Sequence, residues 1–182
     1  MRKLITLMLL AGAVLPVSAQ RAKAVKKPNI IIILADDMGY SDIGCFGSTI
    51  QTPNINELAK TGLVMTQFYN ASRCCPSRAA LLTGLYSHQA GVGDMVNTRS
   101  EPAYEGYLNH NCVTIAEALK AGGYNTYMAG KWHVGTAPEN WPVKRGFDHY
   151  FGLIDGASSY FHPTEPYRPN QKLTIALDDK PF

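Results

Sequence analysis

Apolar runs and amphipathic stretches alternate along this chain. Asn29-Ile30-Ile31-Ile32-Ile33-Leu34-Ala35 is an unbroken, β-branched run, the pattern of a strand buried on both faces of a parallel sheet. It stops at Asp36-Asp37, before a loop containing Gly39, Gly44 and Gly47. Thr52-Pro53 predicts a helix start, with Thr as N-cap and Pro in the first turn; Ile55, Leu58 and Ala59 give its apolar face and Gly62 its C-terminal cap. Residues 63–69 predict a second strand, and residues 76–82 or 76–85 a second helix that Thr83-Gly84 terminates. The polar stretch 93–112 predicts a surface excursion. Thr114-Ile115-Ala116-Glu117 fits a capping box, and the helix behind it should end at Gly122-Gly123. Residues 124–129 predict a third strand. From Ala137 onward the chain is rich in Pro, Gly and aromatics, and no periodicity assigns it.

Strands alternating with helices predict an α/β fold with a mostly parallel central sheet flanked by helices. A cluster of chemically capable residues follows each predicted strand: Asp36-Asp37, the segment from Cys74 to Arg78, and Lys131 with His133. Open α/β sheets bind ligands beyond the carboxyl ends of their strands, so residues far apart in sequence should converge on one edge.

Each cluster has a functional and a plainer reading. Adjacent carboxylates suit a hard divalent cation such as calcium or magnesium, yet Asp is also common in turns and at N-caps. A cysteine at a helix start lies near unpaired N–H groups and the positive end of the helix dipole, where anions are favoured. Arg78 stands one helical turn beyond Cys74 and can return toward it. Equally, Cys74 and Cys75 could be a buried pair with Arg78 at the surface.

Composition narrows the class. The 182 residues are 46% hydrophobic and 17% charged, enough for a packed core and unlike a disordered chain. Arg2 and Lys3, the apolar run 4–15 and Val17-Ser18-Ala19 form a secretory signal over residues 1–19, too short to span a bilayer, which needs about 20 apolar residues. A basic linker, 20–27, follows. Cleavage would remove two positive and no negative charges from the formal +3, leaving +1. Such a body gives no reason to expect nucleic acid, or a membrane once the signal is gone. The expected location is exported, periplasmic or extracellular. Export permits disulfides among Cys45, Cys74, Cys75 and Cys112, with three possible pairings, while the absence of Cys-x-x-Cys spacing argues against a zinc site.

Cys74-Cys75-Pro76-Ser77-Arg78-Ala79-Ala80-Leu81-Leu82-Thr83-Gly84 resembles the signature of type I sulfatases, in the alkaline-phosphatase-like superfamily. Asn29 to Gly39 resembles that family's opening strand with its Asp-Asp pair, and Thr52-Pro53-Asn54 its next helix start. Gly130-Lys131-Trp132-His133 and the segment 144–152 are similar to two later elements, so the resemblance covers roughly residues 28–155. It implies that Cys74 is oxidised to Cα-formylglycine by a formylglycine-generating or anaerobic sulfatase-maturating enzyme. It also implies a calcium ion, with magnesium as the other option, held by Asp36, Asp37 and the modified residue 74. The hydrated aldehyde would attack sulfur and release the alcohol, and its second hydroxyl would expel sulfate, a step that serine could not perform. Arg78 would hold the gem-diol, Lys131 a sulfate oxygen, and His133 would hydrogen-bond the gem-diol.

The family also uses a later Asp-Asn pair, a further His and a further Lys. No Asp-Asn dipeptide follows His133. Residues 28–182 are therefore expected to be the N-terminal part of a catalytic domain, truncated and inactive alone. Sulfuric ester hydrolysis of a sulfated small molecule or glycan leads for the complete protein. A phosphonate monoester or phosphodiester hydrolase with the same nucleophile, or a non-catalytic fragment, are the alternatives. Tyr104, Tyr107, Trp141, Tyr160 and Phe161 are candidates for a sugar-binding rim or for packing.

Overall fold

The computed structural model describes residues 26–166, 168–169, 171 and 173–182. The signal sequence and most of the basic linker lie outside the described residues. The chain divides into two units, Met1–Ala35 and Asp36–Phe182.

In the first unit, residues 26–35 belong to no strand. Exposure alternates along them, with Ile31 at 82% and Ile33 at 85% against 52% for Ile30, 50% for Ile32 and 46% for Leu34. The period of two is that of a strand, but a doubly buried strand needs a neighbour on each side, and this unit has no other described segment to pair with it. The expected buried strand is thus not formed.

The second unit contains three helices: α1 (Pro53–Thr61), α2 (Cys74–Thr83) and α3 (Ile115–Ala121). Four strands follow in chain order, β1 (Tyr127–Ala129), β2 (His149–Leu153), β3 (Ile175–Leu177) and β4 (Lys180–Pro181). They form one sheet in the order β1-β2-β3-β4. β1 and β2 are parallel, with Tyr127 beside His149 and Ala129 beside Phe151, whereas β2–β3 and β3–β4 are antiparallel. The sheet of the described residues is therefore small and mixed, not the mostly parallel one expected. The cause lies in the tail that carried no periodicity: Asp178-Asp179 makes a tight turn, with Asp178 at φ 54°, and so short a connection joins only antiparallel strands. Residues 63–69 are not a strand either; Leu63, Phe68 and Tyr69 are at least three-quarters exposed, again without a neighbouring strand among the described residues.

The helices follow their local signals. The Thr114 side chain accepts from the Glu117 N–H (3.1 Å) and the Glu117 carboxylate accepts from the Thr114 N–H (2.7 Å), completing the capping box. Helix α1 begins at Pro53 as expected, but the Thr52 hydroxyl accepts from the Gly44 N–H (2.9 Å) and donates to Asn56 (2.9 Å) instead of capping the helix, and no α1 residue is buried.

The core gathers around Trp132, Tyr150, Leu108, Ile154, Val92 and Val134, all fully buried. Each such aliphatic or aromatic side chain contributes about 1.5–3 kcal/mol on burial. Leu108 and Cys112 belong to it, so the stretch 93–112 is not merely a surface excursion. Buried Arg145 holds it in place, donating to the Leu108 and Cys112 carbonyls and pairing through Nε with Glu117 (3.0 Å). The partly buried Glu117 carboxyl is disfavoured as an anion by that burial, but the Thr114 N–H and Arg145 outweigh the cost and keep its pKa below the ordinary value.

Candidate active site

The site is built where α2 begins and where β1 ends. Helix α2 starts at Cys74, two residues earlier than the sequence suggested, with Arg73 extended at the N-cap (φ −140°, ψ 152°). Pro76 is accommodated because the first turn has no use for its missing N–H. Cys75, Pro76, Arg78 and Ala79 are buried, and Gly84 closes the helix in the left-handed region (φ 70°). Ser77 braces the approach to the helix by accepting from the Ala71 N–H (3.2 Å). Asp94 does so from the other side, bridging Arg73 and Arg99 at 2.5 Å each.

Beyond β1 the backbone continues to pair with the segment after β2: Trp132 N–H donates to Leu153 O (2.8 Å) and His133 N–H to Ile154 O (3.0 Å). Trp132 enters the core and donates from its indole to Asn140 O (3.0 Å), while Lys131 and His133 face the start of α2. Tyr150 fixes the strand end by donating to Gly130 O (2.9 Å).

Three of the residues singled out from sequence meet at one oxygen. Asp36 Oδ2 accepts from Arg78 Nη2 (2.8 Å) and from Lys131 Nζ (2.8 Å), and Arg78 Nη1 donates to the Lys131 carbonyl (3.0 Å). Partial burial works against the Asp36 anion, but Lys131 and Arg78 prevail and hold its pKa below the ordinary value. His133 is buried, and the cost of charging it there, increased by the Lys131 and Arg78 charges, drops its pKa to about 4. Its imidazole is therefore neutral at neutral pH. The Cys74 and Cys75 sulfurs and a ring nitrogen of His133 all lie within 4.8 Å of one another. Burial, reinforced by Cys74, pushes the Cys75 thiol up to about 12. All four cysteines are free thiols.

Asp37 differs from its neighbour. It is exposed, sits at φ 53° and has no partner among the described residues. His133 (φ 54°) and Ser72 (φ 57°) are also in the left-handed region, which non-glycine residues rarely occupy outside turns and functional sites. Two buried polar atoms at the site, Arg78 Nε and His133 Nδ1, have no hydrogen-bond partner. Such atoms are costly unless a ligand or water satisfies them.

Sequence reasoning missed several contributors. Gly156 lies against the His133 ring, and a Cβ there would stand 2.4 Å from Cε1. Met95 Sδ is 3.8 Å from Cys75 Sγ. Neither residue sits in a pattern that carries chemistry. Of the aromatics considered for a sugar rim, Trp141 is core, whereas Tyr160 and Phe161 are exposed.

Comparison with known proteins gives the chain a family. The sulfatase family model matches residues 28–179. The arylsulfatase of Klebsiella aerogenes is 44% identical over 162 residues, covering 86% of this chain and 35% of its own length. Human arylsulfatase A is 46% identical over 132 residues, covering 70% of this chain and 25% of its own length. Among solved structures, Ps i-CgsB aligns with a TM-score of 0.65 at 41% identity, over 74% of this chain and 30% of that one, and it has also been solved in complex with k-i-k-neocarrahexaose. The chain thus spans about a third or less of these relatives. With the family model matched over nearly all of the described residues, and with relatives 44% and 46% identical across most of the chain, the chain belongs to the sulfatase family.

Proposed function

We propose that this chain carries the nucleophile-bearing part of a formylglycine-dependent sulfuric ester hydrolase. The observation that carries the reading is the convergence of Asp36, Arg78 and Lys131 beside the helix start that bears Cys74. The adjacent carboxylates of Asp36 and Asp37 are the hard oxygen donors that calcium or magnesium takes, and the unsatisfied Arg78 Nε and His133 Nδ1 fit a site that receives further polar groups. Asp36, Asp37 and the modified residue 74 would hold the metal. When present, formylglycine at position 74 supplies an oxygen nucleophile and the metal supplies the positive charge that activates it.

The other side chains have definable tasks. Arg78 is held by the Lys131 carbonyl and Asp36, so its guanidinium is fixed and oriented toward anionic oxygens at the helix start. Lys131, tethered to Asp36, can release its ammonium to a sulfate oxygen. Neutral His133 can accept or donate a proton at its free Nδ1. Arg78 and Lys131 balance Asp36 and Asp37, so the net positive charge of the site would be that of the metal, and matched sulfate and phosphate esters test which anion it favours.

We place the protein outside the cytoplasm, on residues 1–19, with a maturation enzyme as partner and an aryl or carbohydrate sulfate as substrate. The oligosaccharide complex of Ps i-CgsB supports a glycan. The test is co-expression of the complete protein with a maturation enzyme, mass analysis of the peptide bearing position 74, and release of sulfate and phosphate from matched aryl esters. Conversion of Cys74 with sulfate release is expected, and Lys131→Ala should lower kcat/KM for the sulfate ester by about 100-fold. Preferential phosphate release, or turnover with position 74 still cysteine, would overturn the reading.

A further inference from the structure

The sulfur and nitrogen donors at the start of α2 form a set that differs from the carboxylates of Asp36 and Asp37. Calcium takes oxygen; two thiols and an imidazole are ligands for a softer ion. In the sequence this set is invisible, because Cys74 and Cys75 are adjacent and His133 is far along the chain. The continuation of β1 delivers His133 to them.

We propose that, while position 74 is still cysteine, Cys74, Cys75 and His133 bind a thiophilic divalent cation of the zinc type. Three protein ligands leave a fourth, tetrahedral position open. Zinc lies about 2.3 Å from sulfur and about 2.0 Å from nitrogen, so its donors stand a little under 4 Å apart. The three donors already fall within 4.8 Å of one another, and shifts of about 1 Å complete the geometry. Independently, His133 is only 5% exposed, and its Nδ1 has no partner. A buried ring nitrogen without a hydrogen bond is costly unless a ligand satisfies it, and no hydrogen bond at Nδ1 has to be broken for the imidazole to turn toward a metal.

The surroundings agree. Met95 adds a thioether 3.8 Å from Cys75 Sγ, extending the soft character of the pocket. Cys74 is half-buried and offers the route in, while Cys75 is fully buried. On binding, each thiol loses its proton to solvent, and the two thiolates balance the two charges of the ion. The nearby Lys131 and Arg78 oppose a cation, but Asp36 is paired to both.

One consequence, unlike the site itself, rests on the formylglycine reading. A cysteine held by zinc is not the free thiol from which formylglycine is made, and conversion removes one of the two sulfurs. Zinc binding and maturation at position 74 then exclude each other.

The test uses the complete protein, reduced and produced without a maturation enzyme, titrated with cobalt and then with zinc. One cobalt ion per chain should give a thiolate-to-cobalt charge-transfer band that zinc bleaches. Cys75→Ser and His133→Gln should each weaken binding at least about tenfold, while Cys45→Ser combined with Cys112→Ser leaves it unchanged. Because position 75 is buried, a second readout needs no substitution: zinc, but not calcium, should protect Cys74 from alkylation, read by peptide mass, while Cys45 stays reactive. Absence of the band in the unaltered protein, its survival in Cys75→Ser, or alkylation of Cys74 at the same rate with zinc present would overturn the site. Failure of the formylglycine reading shows separately, as a position 74 left unconverted in the presence of the maturation enzyme.

Discussion

Two segments with the same apolar signature have opposite fates in the second unit. Residues 63–69 remain exposed and unpaired, whereas β1 and its continuation carry Trp132 and Val134 to zero exposure. Residues 30–34 of the first unit, the most strongly β-branched run of the chain, resemble 63–69 in this respect. The difference is not propensity. β1 has a parallel partner in β2, and the sheet pair has Tyr150 and Ile154 to pack beneath it. A hydrophobic run becomes a strand only when another segment supplies hydrogen bonds on its edge and apolar surface on its face.

The sharpest way to break the contrast is to damage the paired segment. Trp132→Ala removes the largest fully buried side chain and its indole hydrogen bond, and should cost about 3–5 kcal/mol, measured by denaturant unfolding of the chain. An intermediate effect is expected from acid. Hydrogen bonds to Lys120 and Thr126 hold the Asp148 carboxyl at about 2, below its usual 3.8, and Glu117 lies below its usual 4.5. Carboxyls depressed in the folded state stabilise it above their unfolded values, and that share is lost as the pH falls through the folded ones. Buried, neutral His133 adds an earlier loss, because the unfolded chain takes up its proton near 6.5 and the folded one only near 4. Unfolding midpoints should therefore start to decline below about pH 6.5 and fall further below about 4.5, and Asp148→Asn should flatten the part of the decline between 3.8 and about 2 relative to wild type. The smallest effect belongs to the unpaired run: Ile33→Ser, at a residue 85% exposed, should shift stability by no more than about 0.5 kcal/mol in the same assay. A loss near that of Trp132→Ala would mean that the run is covered after all.

Much of the site could be read before the fold was seen, because its residues sit in short motifs that resemble those of a known family. The Thr114 capping box and the Gly84 terminator are decided by contacts within a few residues, and they formed where expected; β1 formed over only the second half of the expected 124–129. Asp36, Arg78 and Lys131 did converge, as the placement of their clusters after predicted strands and the family resemblance both implied. Other features depend on partners far away in sequence. Arg145 ties three segments together from a stretch, 144–152, that stood out in the sequence only by its resemblance to a later family element. β2, β3 and β4 arise in a tail whose glycines, prolines and aromatics obscure any period of two. The mostly parallel sheet failed as an expectation because pairing is a property of two segments, and a single run cannot reveal whether its neighbour is present.

Gly156 carries one more implication. The ring of His133 is packed against a residue with no side chain, at a distance that would leave a methyl group 2.4 Å from Cε1, and its Nδ1 is held by nothing. The imidazole is therefore aimed by a mechanical stop rather than by a hydrogen-bonded tether. A stop permits rotation away from it, so the same ring can present its nitrogen to whatever arrives at position 74, whether thiol, aldehyde hydrate or sulfate ester. Thickening the stop by one carbon, as in Gly156→Ala, would leave every named chemical group in place and change only the direction in which one of them points.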